Sequence, residues 1–296
     1  MFTRRHPFLF FILCLSALGV ITLMAVVALI WRFAPDDGPM RGDKVAVIEI
    51  LGPIVDARPT LESLKHFRDE PAVKAIVLRI DSPGGGVGPS QEIYTEVLRT
   101  REVKPVVASM GAVAASGGYY IAAATDGIVA NPGTVTGSIG VIMGYTNFGQ
   151  LLERIGLRPV VIKSGTFKDT GSPTREMTAD EKALLQTVID DMHQQFVDAI
   201  ASGRDMPFDQ VAALADGRIY SGQQAKTEGL VDRLGNFEDA VRWAGEMGGI
   251  SGPVETVYEE EDSFKLLNYI LQSILEGTAH SVQAPPRAAY LYAPDP

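Results

Sequence analysis

The chain of 296 residues has little of what metal, redox and nucleic-acid chemistry require. Its one cysteine, Cys14, excludes an intramolecular disulfide and a thiolate-rich metal centre. The four histidines, His6, His66, His193 and His280, are too scattered for a zinc ligand cluster. A net charge of −10 argues against a nucleic-acid polyanion as partner. The glycine turn Gly84-Gly85-Gly86 has neither the Gly-Lys-Ser/Thr ending of a nucleotide loop nor G-x-G-x-x-G spacing. No metal and no cofactor is expected, and no tandem repeat of fixed period is present.

What the chain does have is apolar content of 46%, enough to bury a full core. Phe8 to Trp31 carries no charged residue, and at ~1.5 Å per residue it measures roughly 36 Å as a helix, enough for a bilayer core. Arg4 and Arg5 precede it, while Asp36 and Asp37 follow. The positive-inside rule then gives a cytoplasmic N-terminus over 1–7 and a single-pass anchor over 8–33 in the inner membrane, contacting lipid. The remainder is placed outside the cytoplasm. The rival is a cleaved signal peptide, but the run is longer than an ordinary ~7–15-residue apolar core and no early small-x-small site follows. Residues 34–43, rich in Pro, Gly and Asp, read as a linker.

The soluble part alternates strand and helix. Val45–Leu51, Val73–Ile80, the stretch 105–108, Gly127–Ala130 and Pro159–Ile162 read as strands. Leu61–Arg68, Ser90–Arg101, a segment starting at Ser116, and Phe148–Ile155 read as helices. This order predicts an α/β domain with a largely parallel sheet. Thr178-Ala-Asp-Glu181 has the form of a capping box and opens the longest helix, 179–203. Shorter helices are predicted near 208–215, 221–228 and 236–246. Beyond 254 lie an acidic run, an amphipathic segment over 264–275 and a proline-rich tail without fixed structure.

Chemistry concentrates in three places. Ser116 stands where a helix should begin, between Ala115 and the pair Gly117-Gly118, so a substrate backbone can approach its hydroxyl. Ala114-x-Ser116-x-Gly118 echoes the turn that presents a nucleophilic serine, although a serine at such a position is ordinarily only a cap. Gly84-Gly85-Gly86 ends a strand, where α/β sheets bind ligands, and its amides can form a concavity for negative charge. Lys168 follows Phe167 in a loop; a loop lysine is ordinarily solvated, and acting as a base demands a lowered pKa. No histidine lies near a strand end in a glycine-rich loop, which weakens a Ser-His-Asp reading; His193 reads as part of a solvated helix face.

Asp81-Ser-Pro-Gly-Gly-Gly, Ala114-Ala-Ser-Gly-Gly-Tyr-Tyr-Ile-Ala, Thr136-Gly-Ser-Ile-Gly-Val and Ser164-Gly-Thr-Phe-Lys-Asp together resemble the bacterial signal peptide peptidases of the SppA type, short form. The resemblance runs from about Val45 to Trp243. It implies a Clp/crotonase-like spiral of ββα units over 44–253, with 254–296 as a C-terminal appendage. It also implies a Ser-Lys dyad with Ser116 as nucleophile, Lys168 as general base and Ser138 orienting the lysine. Gly84, Gly85 and Gly117 are the oxyanion-hole candidates. A homo-oligomeric ring, not always completing the dyad within one chain, and cleaved signal peptides as substrates are further implications. Two rivals stay open: an acyl-CoA enzyme of crotonase type and a non-catalytic membrane scaffold.

Overall fold

In the computed structural model, described residues comprise 42–259, the short strand at 289–291 and, near the N-terminus, positions 8, 11, 15–22, 24 and 25. The expected anchor over 8–33 therefore lies largely outside them. Its described positions are helical, and among the described residues no helix is long and apolar enough to cross a membrane. The amphipathic segment 264–275 also lies outside them.

The domain is an eight-stranded sheet with helices on both faces. Strand β1 (Lys44–Leu51) is followed by α1 (Arg58–Asp69), β2 (Val73–Ser82) and the three-residue β3 (Gly84–Gly86). Then come α2 (Val87–Arg101), β4 (Val106–Ala115), α3 (Gly117–Ala122), β5 (Gly127–Ala130) and β6 (Val135–Gly137). After α4 (Gly149–Arg154) and α5 (Ala179–Gly203) follow α6 (Phe208–Leu214), β7 (Ile219–Ser221), α7 (Gly222–Thr227), β8 (Arg233–Leu234), α8 (Phe237–Met247) and β9 (Glu255–Tyr258). The sheet order is β7-β6-β4-β2-β1-β9, with β5 and β8 branching from β4; only β6 and β7 pair antiparallel. Because β9 pairs with β1, the sheet continues past residue 253.

Central strands carry apolar residues on both faces, as a sheet covered on both sides requires. Ile76, Leu78 and Ile80 meet α1, α2, α3 and α5 on one face, while Val45, Ala75 and Val77 meet Ala240, Val241 and Ala244 of α8 on the other.

Strand β4 is longer than its local sequence predicts because it changes partners along its length. Val107–Met110 pair with β5 and Val113–Ala115 with β6. On the opposite edge the pairing with β2 shifts register between Ile80 and Ser82, and Asp81 sits at that shift. Its carboxylate accepts the Val113 N–H at 3.1 Å. A Cβ at position 111 would lie 2.8 Å from that carboxyl, so Gly111 lets the bend close.

Apart from Glu181 in its first turn, α5 is buried only in its second half, through Phe196, Val197, Ala199 and Ile200. Its first half extends ~22 Å from Phe196 back to Glu181, and carries residues 143–176 with it. This arm exposes Leu151, Ile155, Leu157, Val160, Ile162 and Phe167. The strand expected at Pro159–Ile162 is not formed: Val160 is 85% and Ile162 97% exposed. Its sequence has the apolar pattern of a buried strand, but no described residue of this chain offers an edge or a layer to bury it.

The tail also departs from expectation. Strand β10 (Ala289–Leu291) pairs antiparallel with β3, in the register Ala289↔Gly86, Tyr290↔Gly85 and Leu291↔Gly84. The other edge of β3 is taken by Ile54, whose N–H donates to the Gly84 carbonyl and whose carbonyl accepts the Gly86 N–H. A Cβ on Gly85 would lie 2.1 Å from the Ile54 carbonyl oxygen. Gly85→Ala is therefore expected to cost about 3 kcal/mol by overpacking, read as a fall in the denaturant midpoint at unchanged slope.

Candidate functional site

Ser116 joins β4 to α3. Its φ of 53° and ψ of −116° are those of a strained turn, a conformation that costs roughly 1–3 kcal/mol for a residue with a side chain. The surroundings hold it there. Its N–H donates to the Gly137 carbonyl at 2.8 Å, and its carbonyl accepts the Tyr120 N–H at 2.8 Å. Helix α3 is fixed in turn by Tyr119, whose hydroxyl donates to the Leu230 carbonyl at 2.9 Å and whose pKa is pushed up by burial. Tyr120 packs between Tyr94 and Phe196, each 4.9 Å away between ring centres. The Ser116 hydroxyl is buried and has no hydrogen-bond partner, so it is not acting as a helix cap.

The parallel pairing Ala115↔Gly137 places Ser116 and Ser138 next to one another at the ends of β4 and β6. Ser138 shares the left-handed backbone, with φ of 50°, and its N–H donates to the Arg218 carbonyl at 2.8 Å. Thr136 braces β6 by donating its hydroxyl to the Ala114 carbonyl at 2.7 Å. Ser138, Ile139 and Val141 line one side of a cavity of about 650 Å³, with Ile189 and His193 of α5 on the other. His193, expected on a solvated face, is half-buried, and its Nε2 lies 2.8 Å from the Ala215 carbonyl oxygen.

The three glycine candidates are placed differently. The Gly84 N–H already donates to Ser82 Oγ at 3.1 Å, a contact the sequence reading did not foresee. Since Ile54 takes Gly84 and Gly86, strand alternation turns the amide of Gly85 to the opposite edge, where β10 lies. Gly117 is the first residue of α3, where an N–H has no partner within its helix. The site thus combines a buried hydroxyl, helix-start amides and a strand edge that accepts an extended backbone.

Lys168 is not brought to Ser116 within this chain. It lies exposed on the arm, and its ammonium has no hydrogen bond to the partnerless Ser116 hydroxyl. The turn that carries it is tightly built, with the Lys168 N–H donating to the Gly165 carbonyl at 3.1 Å. Next to it, Asp169 is held well below the usual carboxylate range by Arg175 and then Lys163. Arg175 also grips Glu181, which it and the Thr178 N–H hold at about 2. Sequence reading found Glu181 as a capping residue and missed Arg175 entirely. Among the described residues, no cluster of three or more His, Cys, Asp or Glu could hold a metal ion.

Comparison with known proteins gives the family of the chain. The family model of peptidase family S49 matches residues 99–251. A putative protease of Synechocystis is 48% identical over 209 residues, covering 70% of this chain and 75% of that protein. A putative signal peptide peptidase SppA of Enterococcus faecium is 42% identical over 182 residues, covering 61% and 53% respectively. Protease 4 of Salmonella typhi is 34% identical over 253 residues, 82% of this chain but 40% of that protein. The chain thus spans about half or less of the last two relatives.

Proposed function

The chain belongs to peptidase family S49, as a serine peptidase of the SppA type, and from that premise we propose that Ser116 is its nucleophile and Lys168 its general base. The observation that carries this reading is the Ser116 hydroxyl, buried without a partner on a strained backbone at the start of α3. A structural serine would satisfy its oxygen; an unused one held at a conformational cost is a poised group. The bent β4, with strands on either half and α3 at its end, accords with a spiral of ββα units of the Clp/crotonase kind.

In the proposed reaction a peptide docks as an extended strand along β3, as the chain's own β10 does. Neutral Lys168 takes the Ser116 proton while Oγ bonds to the scissile carbonyl carbon. Amides of Gly85 and Gly117, with Gly84 held in place by Ser82, face the oxyanion. Each such donor contributes roughly 3–4 kcal/mol to barrier lowering. The protonated lysine then passes its proton to the departing amine, and a water activated by the same lysine releases the acyl group.

Lys168 reaches Ser116 from a second copy in this proposal. The exposed apolar arm needs a covering surface, and the cavity beginning at Ser138 gives a neighbour's Phe167-Lys168 turn a place to enter, with Ser138 orienting the ammonium. Repeated around a closed axis this contact generates a homo-oligomeric ring. The run 8–33 anchors the chain to the inner membrane with the peptidase domain outside the cytoplasm, suited to cleaved signal peptides and short hydrophobic segments. Retention of the chain in the membrane fraction after alkaline extraction tests the anchor.

A serine-reactive fluorophosphonate tests the nucleophile: the expected adduct maps to Ser116, and labelling of another serine would overturn the assignment. The tail supplies a separate prediction. Deleting residues 287–296 uncovers the β3 edge and is expected to lower KM for peptides several-fold at unchanged kcat; an unchanged KM would show that the tail does not compete.

A further inference from the structure

We infer that Arg175 is a positioning residue for Lys168: it ties the Lys168 turn to the start of α5 and, with Lys163, cancels the charge of the neighbouring Asp169. The inference rests on the reading of Lys168 as general base.

The Lys168 side chain is exposed, so its place is set by the backbone that carries it. Successive turns shape that backbone, with the Thr170 N–H donating to Phe167 at 3.2 Å and the Ser172 N–H to Asp169 at 3.0 Å. Two side chains then staple it. Lys163 donates to the Thr166 carbonyl at 2.8 Å and to one Asp169 oxygen. Arg175 donates from Nε to the other Asp169 oxygen at 2.9 Å and from Nη2 to the Asp169 carbonyl at 3.2 Å. Its Nη1 reaches Glu181 Oε2 at 2.8 Å and the Glu176 carbonyl at 3.0 Å, and Nη2 also meets Glu181 Oε1. Glu181 is itself anchored, because it is buried and closes the capping box by accepting the Thr178 N–H at 2.9 Å. A continuous set of fixed groups therefore runs from α5 to the residue beside Lys168. Such planar, two-pronged recognition is peculiar to arginine.

Charge gives the arrangement a chemical role. Lys163, Arg175, Asp169 and Glu181 sum to zero. An unbalanced Asp169 would stabilise the adjacent ammonium, the reverse of what a base at neutral pH requires. No other cation compensates among the described residues of this arm. Glu176 accepts from Asn147 at 3.3 Å. Tyr145, whose ring lies against Gly171, has its phenol 2.8 Å from the Met143 sulfur and pushed up by burial.

The test is the pH dependence of kcat/KM in the full-length chain. Arg175→Gln and Lys163→Met each leave the cluster with one net negative charge, and each is expected to move the acid limb upward by about half to one pH unit. Arg175→Lys keeps the charge but loses the fork, so the limb stays while kcat falls about tenfold. Adding Asp169→Asn to Arg175→Gln restores neutrality and is expected to return the limb to its wild-type position without restoring kcat. A merely structural Arg175 would lower activity with no movement of the limb. An unmoved limb in Lys163→Met, with folding checked by its melting temperature, would overturn the inference, as would failure of Asp169→Asn to restore it. Lys168→Met in the same series separates the two readings, since full activity there would remove the general base itself.

Discussion

Exchanging Ser116 for alanine is expected to lower kcat for peptide hydrolysis by on the order of 10⁶-fold, with the fold intact. The hydroxyl makes no hydrogen bond, so its removal breaks none. Alanine meets the same backbone strain as serine, and the desolvated oxygen, which costs about 1–3 kcal/mol when unpaired, is gone. The variant should therefore melt at the wild-type temperature or above it. That combination distinguishes a lost nucleophile from a damaged core. Appreciable turnover by Ser116→Ala, after removal of any contaminating peptidase, would exclude Ser116 as the attacking group.

Lys168→Met is expected to cost about 10²- to 10⁴-fold, the ordinary contribution of a positioned base. Methionine preserves much of the apolar stem, and the exposed position makes no described ion pair to lose. Mixing supplies the sharper test. If each site takes Ser116 from one copy and Lys168 from the next, inactive Ser116→Ala and Lys168→Met chains reassembled together will recover activity. Half of the positions carry an intact serine and half of their neighbours an intact lysine, so random rings regain about a quarter of wild-type activity. A mixture as inactive as its parts would place the whole dyad within one chain or remove Lys168 from it.

The features legible in the sequence are those specified locally. The long helix 179–203 and its capping box follow from Thr178, Glu181 and the periodicity between them, and both are present as read. Ser116 stands at the start of a helix, as expected from its place after the strand signal at 105–108. The full length of β4 was not legible, since its second half depends on Asp81 from another strand and on the space at Gly111. The Pro159–Ile162 run misleads for a related reason: its pattern anticipates a burying surface that the described chain does not contain. Arg175 was missed because ion pairs leave no periodic signature, although Asp169, Arg175 and Glu181 do stand six residues apart. The tail strand was unreadable because its partner, β3, lies some two hundred residues earlier.

The separation of Lys168 from Ser116 in a single copy has a consequence for where and when cleavage occurs. If the base comes from a neighbouring copy, as proposed, a newly made chain, with its Ser116 hydroxyl buried and its Lys168 amine exposed elsewhere, does not cut while it is alone. Under that proposal, specific activity per chain falls on dilution and rises with concentration, so the abundance of the chain itself would govern when cleavage begins.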